Sequence, residues 1–211
     1  MKIHTITTDV AAKADLSYYR DILPVRFQKS DRIRVEVPRL LSMGAGILLV
    51  EGLGLRDEAL LQTGAYGKPE APGFPEFNLT HGGDMAALVT DEMPVGIDYE
   101  PVRPRYTDIA PHIFTEEERD WMNEETPELR FFMLWTAKES VMKALGEGLH
   151  LSPGTFSVLP FFRGEALPIR ETILYNHTVP YRDGALSVTA CHPFLLPEPV
   201  PCVPSHLLQF F

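Results

Sequence analysis

The chain of 211 residues holds only two cysteines, Cys191 and Cys202. Two are too few for a disulfide framework or a thiolate zinc site, so a cytoplasmic location is the default expectation. Positive charge is also scarce, with 19 lysines and arginines against 29 aspartates and glutamates and a net charge of −10. That balance argues against wholesale nucleic-acid binding. It also means that an anionic ligand needs a local basic pocket or a metal ion. No uninterrupted apolar run approaches the roughly 20 residues of a bilayer span, so no membrane partner is expected. The opening MKIHTITTDV alternates like a strand and lacks the apolar block of a signal peptide. No GxxxxGK[ST] phosphate loop occurs, and no repeat links the two halves of the sequence. What remains is a globular composition, 45% hydrophobic and 23% charged, sufficient for one large domain or two small ones.

Residues 1–8 read as a strand, and a polar helix is expected from about Ala14. The basic stretch RFQKSDRIRVEVPR follows at 26–39. LLSMGAGILLVEGLGL at 40–55 is apolar with recurring small residues and reads as a buried helix. AYGKPEAPGFPEFNLTHGGD is rich in turn formers and reads as extended surface chain. Residues 85–90 and 94–100 read as short strands joined by the turn Asp91-Glu92. PVRPRY at 101–106 is proline-broken and marks the expected boundary between halves at 1–101 and 102–211. Thr115 followed by three glutamates has capping-box spacing and suits the positive end of a helix dipole. Pro127 ends or restarts that helix. GTFSVLP, PIRETILYN and GALSVTACH read as three strands, and the proline-rich tail from Pro193 as polyproline-like chain.

The central segment is FFMLWTAKESVMKALGEGL at 131–149. Nothing breaks a helix before Gly146, and Phe131, Leu134, Val141, Met142 and Leu145 recur at helical spacing. Lys138 falls on that apolar stripe and Glu139 beside it, one turn before Lys143. The plain reading of Glu139 and Lys143 is an i,i+4 ion pair worth about 0.2–0.5 kcal/mol. Asp98 and Glu100 flank Tyr99 at a strand end, so both carboxylates share one face. Two like charges so placed need a cation, for which Mg²⁺ is the natural candidate, unless they are simply solvated. Gly67-Lys68-Pro69 sets a lysine in a rigid turn. Thr80, His81, Gly82 and Gly83 read as a loop whose backbone N–H groups would suit an anion, with His81 as a phosphate partner or proton carrier.

Taken in order, GKP, FNLTH, GIDYE, Phe114 with Glu117-Glu118, and WTAKESVMKALGEGL resemble the Sfp-like 4′-phosphopantetheinyl transferases. The last motif is matched at Trp135, Lys138, Glu139, Ser140, Lys143, Gly146, Gly148 and Leu149, and the resemblance covers about residues 1–190. Thr80 stands where the family more often has serine, and Gly82 where many members have a second serine. The family's N-terminal arginine maps to Arg39, with Arg34 as the alternative.

The resemblance implies an α+β fold of two similar halves, a pseudo-dimer within one chain, with the active site in the cleft between them. It implies an enzyme that moves the phosphopantetheine arm of coenzyme A to a serine of an apo acyl or peptidyl carrier protein, releasing adenosine 3′,5′-bisphosphate. Asp98, Glu100 and Glu139 would hold Mg²⁺, and Glu139 would accept the serine proton. Lys143 would contact the diphosphate and assist proton transfer. Lys68 and Pro69 of the GKP turn, Thr80, His81 and an arginine at 34 or 39 would bind coenzyme A. The apolar surface near Phe114 would receive the carrier's helix, and a monomer is expected. The competing readings are a non-catalytic module that binds carrier protein or coenzyme A, and a different Mg²⁺-dependent phosphotransferase.

Overall fold

The computed structural model describes residues 1–104 and 108–207. Arg105 and Tyr106, in the stretch expected to mark a boundary, lie outside the described residues. Strands are β1 (Lys2–Thr7), β2 (Gln62–Thr63), β3 (Pro69–Glu70), β4 (Glu76–Gly82), β5 (Met85–Asp91), β6 (Val95–Pro101), β7 (Leu167–Ile169), β8 (Thr172–Tyr181), β9 (Gly184–Ala190) and β10 (Val200–Pro201). Helices are α1 (Thr8–Lys13), α2 (Leu16–Ile22), α3 (Pro24–Asp31), α4 (Glu36–Glu51), α5 (Ala110–Ile113), α6 (Glu116–Glu124), α7 (Pro127–Leu145) and α8 (Leu159–Phe162). The result is a mixed α+β chain in two compact units. Among the described residues no helix is long and apolar enough to cross a membrane.

The first unit comprises Met1–Thr63, Pro69–Glu92 and Pro197–Phe211. Its sheet has the order β10-β1-β5-β4. Thr5 lies opposite Ala87 in the antiparallel β1–β5 ladder, and Thr80 opposite the same residue from β4. Ile6, Phe77, Ala86 and Leu88 form one core with Ile47, Leu48, Leu49 and Val50 of α4. That helix begins earlier than the apolar run and ends at Glu51, after which Leu53 and Leu55 stay buried.

The second unit comprises Gly64–Lys68 and Met93–Leu196. Its sheet has the order β6-β9-β8-β7, all pairs antiparallel. Helix α7 lies across β6 and β9. Pro127 at its first turn needs no N–H partner, and its end is set by Gly146 at φ 72. The N–H groups of Gly146 and Glu147 close on the carbonyls of Lys143 and Met142. Helix α6 starts with the expected capping box, Thr115 and Glu118 each holding the other's backbone N–H. In both units a strand, a long helix and a hairpin follow one another. The strand order is likewise equivalent, β1-β5-β4 in one and β6-β9-β8 in the other.

Several elements differ from the sequence reading. Strands β5 and β6 are the two short strands expected, but they lie in different sheets: β6 joins the second unit through its ladder with β9, so by compactness that unit resumes at Met93. The tail segment from Pro197 belongs to the first unit, where Val200 and Pro201 pair with His4 and Thr5 of β1. FNLTHG is strand rather than loop, because Phe77, Asn78 and Thr80 are buried and the run pairs fully with β5. GTFSVLP is not a strand: it forms a 3-10 turn at Pro153–Thr155 and leads into α8, each with proline at its start. The polar helix expected from about Ala14 is two short ones, α2 and α3, broken at Leu23 before Pro24, and α1 precedes them.

Candidate active site

The site begins with a close approach of two backbones. A Cβ on Gly96 would lie 2.1 Å from the Ser140 carbonyl oxygen and 2.5 Å from the Ala144 nitrogen. Only glycine lets β6 sit so close to α7. Alternation along the strand puts Asp98 and Glu100 on that same helix-facing side. Tyr99 faces the other way, fully buried, and its hydroxyl donates to Asp183 Oδ1 at 2.5 Å in the β8–β9 turn.

Helix α7 brings Glu139 and Lys143 to the carboxylates. The Lys143 ammonium donates to Asp98 Oδ1 at 2.6 Å and to the Ile97 carbonyl at 3.2 Å. Among the described residues Lys143 therefore has its ion pair with Asp98, and not the expected i,i+4 pair with Glu139. The tertiary partner wins because Asp98 is 6% exposed and gains most from a neighbouring cation. Glu139 is half-buried. Burial pushes its carboxyl up to about 7, with the Asp98 and Glu100 charges adding and Lys143 opposing. Glu100 is raised in the same way, by burial first and then by Asp98, while Arg103, 2.7 Å away, draws it back.

Lys68 joins this group. It lies at the tip of the β2–β3 hairpin and donates to the Val95 carbonyl at 3.2 Å, at the start of β6. Its Cδ lies 3.6 Å from where a Gly146 Cβ would stand, at the end of α7. The other expected ligands belong to the first unit. Arg34 is exposed before α4, Arg39 is half-buried in its first turn, and Pro69 is in β3. Thr80 is buried and His81 exposed on β4, and consecutive strand residues leave on opposite faces.

The carboxylate set is of the type Mg²⁺ takes: hard oxygen donors in mutual repulsion, with a cation already drawn against one of them. No group of three His, Cys, Asp or Glu side chains is gathered closely enough to hold a metal ion among the described residues. The donor chemistry fits the ion, while the side chains stand arranged around Lys143.

Two residues of the central motif point elsewhere. Lys138 is fully buried, 2.9 Å from Glu118, which is equally buried. Its ammonium also donates to the carbonyls of Pro153 and Phe156 and lies 4.5 Å from the centre of the Phe156 ring. Burial pulls the Lys138 pKa down against the opposing pull of Glu118. Glu118 also accepts the N–H groups of Thr115 and Val158. Ser140 bonds to Ser187 and Thr189 of β9 and to Asn176 of β8, fixing the helix on its sheet. These roles, like that of Asp183, escape a sequence reading because each partner is remote in the chain. Phe114 is also core: it is 3% exposed and lies edge-on to Phe131 at 5.1 Å. Its own ring is therefore not part of an exposed surface.

Comparison with known proteins fits this geometry. A family model described as the 4′-phosphopantetheinyl transferase superfamily matches residues 94–186, which contain Asp98, Glu100, Glu139 and Lys143. A 4′-phosphopantetheinyl transferase of Bacillus subtilis is 38% identical over 98 residues, 44% of each chain. The 4′-phosphopantetheinyl transferase Sfp of Bacillus subtilis strain 168 is 33% identical over 147 residues, 65% of this chain and 66% of the relative. AcpT of Salmonella typhi, also a 4′-phosphopantetheinyl transferase, is 38% identical over 106 residues, 45% of this chain and 55% of the relative. The chain thus spans about half to two thirds of the length of these relatives. With the motif residues gathered on β6 and α7, these matches identify the chain as a member of the 4′-phosphopantetheinyl transferase superfamily.

Proposed function

We propose that this protein transfers the 4′-phosphopantetheine arm of coenzyme A to a serine of an apo acyl or peptidyl carrier protein. The observation that carries the proposal is the grouping of Asp98 and Glu100 with Glu139 and Lys143 inside the segment matched by the superfamily. In this reaction the serine oxygen bonds to the β-phosphorus, the bond to the α-phosphate oxygen breaks, and adenosine 3′,5′-bisphosphate leaves. The serine proton needs an acceptor. Glu139, with a carboxyl at about 7, is matched to that task near neutral pH. Lys143 supplies positive charge to the diphosphate oxygens, and Lys68 is available to the same phosphates. Asp98, Glu100 and Glu139 would hold Mg²⁺. When bound, the ion would neutralise charge developing on the diphosphate.

Coenzyme A contacts are assigned to Lys68, Pro69, Thr80 and His81, with Arg39 or Arg34 as the nucleotide arginine. The equivalent strand orders of the two sheets support similar halves, the pseudo-dimer that the resemblance implies. We also propose that the protein acts as a cytoplasmic monomer, with neither nucleic acid nor membrane as partner.

The test is the intact mass of apo carrier proteins after incubation with the protein, coenzyme A and Mg²⁺. A gain of one phosphopantetheine unit, lost with EDTA and with Glu139→Gln, is the expected result. No gain on any carrier, from a folded protein that binds coenzyme A, would instead mark a binding module.

A further inference from the structure

The Lys143 ammonium sits 2.6 Å from Asp98 Oδ1, where the carboxylate set would otherwise present its charge to a metal ion. Asp98 is almost wholly buried, and a buried carboxylate needs a cation or hydrogen-bond donors beside it. The lysine is the more mobile partner. Its side chain is 25% exposed, at the margin of α7, on a flexible four-carbon stem. Glu100 and Glu139 are both driven up in part by Asp98, so all three carboxylates share one electrostatic neighbourhood. Withdrawing the lysine takes away the cation paired with Asp98, while Arg103 stays 2.7 Å from Glu100.

We propose that Lys143 is a stand-in cation that competes with the divalent ion for Asp98 and gives way when a diphosphate draws it off. The inference rests on the metal site proposed above. In the CoA-free protein the ion must displace Lys143 and binds weakly. With coenzyme A present, the diphosphate takes the lysine and Asp98 is released to the ion. Linkage makes the effect reciprocal, so the ion strengthens coenzyme A binding by the same factor. The exchange would keep the acids from collecting cations before the co-substrate arrives.

The test measures free Mn²⁺ by electron paramagnetic resonance in titrations of the full chain, with and without coenzyme A. Wild type, Lys143→Met, Lys143→Gln, Lys143→Arg and Asp98→Asn are compared, each checked for a native melting transition. Without coenzyme A, K143M and K143Q should bind Mn²⁺ about tenfold tighter or more, since a repelling charge a few ångströms from the ligand is gone. K143R should bind like wild type, and D98N should lose most of its affinity. If K143M and K143Q bind no tighter than wild type while D98N loses Mn²⁺, the competition is refuted and the metal site survives. A D98N protein that binds as wild type also overturns the inference, because Asp98 is then not the contested ligand. If no variant binds Mn²⁺ even with coenzyme A, the metal reading and this inference fall together.

Discussion

The Glu118–Lys138 pair is the most exposed to test, because both side chains are fully buried. Their attraction must offset the desolvation of two charges, and the surrounding groups show how that is arranged. Lys138 has three oxygen acceptors, on Glu118, Pro153 and Phe156. Glu118 has two further N–H donors, from Thr115 and Val158. Lys138→Met keeps the length of the side chain but leaves a buried carboxylate without its cation and two carbonyls without a donor. Such a break costs about 3–5 kcal/mol, a large share of a typical stability of about 5–15 kcal/mol. Glu118→Gln leaves the ammonium uncompensated and should cost a similar amount. The double variant removes both charges, so the two losses should fall short of additive by about 2 kcal/mol or more. Urea unfolding of the four proteins measures this directly. With a slope near 2 kcal/mol per molar, each single variant should unfold about 1.5–2.5 M earlier. Single-variant losses below about 1 kcal/mol, or additive losses, would show that the pair does not hold α6, α7 and the 153–158 segment together.

Gly96→Ala should destabilise by about 3 kcal/mol or more, because the new methyl meets backbone atoms of α7 that cannot rotate away; an unchanged urea midpoint would refute the close approach. Glu139 gives a pH dependence opposite to that of an ordinary carboxylate. Its folded value of about 7 lies above the unfolded one, so its contribution is fully present below about pH 4.5 and is lost as pH rises through about 7. In EDTA, wild type should therefore lose about 2 kcal/mol relative to Glu139→Gln between about pH 5.5 and about pH 8; parallel stability curves would contradict it. Glu51 accepts from Tyr19 and from the Ser205 N–H and hydroxyl, tying the C-terminal segment to α2 and α4. Glu51→Ala should speed hydrogen exchange at Ser205 by tenfold or more, since its N–H loses its acceptor; unchanged exchange there would refute the tie.

Much of the site was legible because its local signals are independent of the fold. The two-residue spacing of Asp98 and Glu100 on a strand, and the four-residue spacing of Glu139 and Lys143 on a helix, fix which side chains share a face before any partner is known. Proline at the start of α7, glycine at its end and threonine before α6 mark helix ends by backbone chemistry alone. Where the reading failed, the competing term was non-local. FNLTHG has the composition of a loop, yet it gains a full ladder and a buried face from β5. Strands β5 and β6 are adjacent in sequence, yet they join different sheets, β5 between β1 and β4 and β6 beside β9. The sequence by itself thus determined which acids and which lysine share a face, the helix that presents two of them and the superfamily. The tertiary structure alone decided that Lys143 faces Asp98 and that Lys138 is withdrawn to Glu118. Local spacing sets direction along an element, whereas burial decides which charge must have a partner and which remote residue provides it.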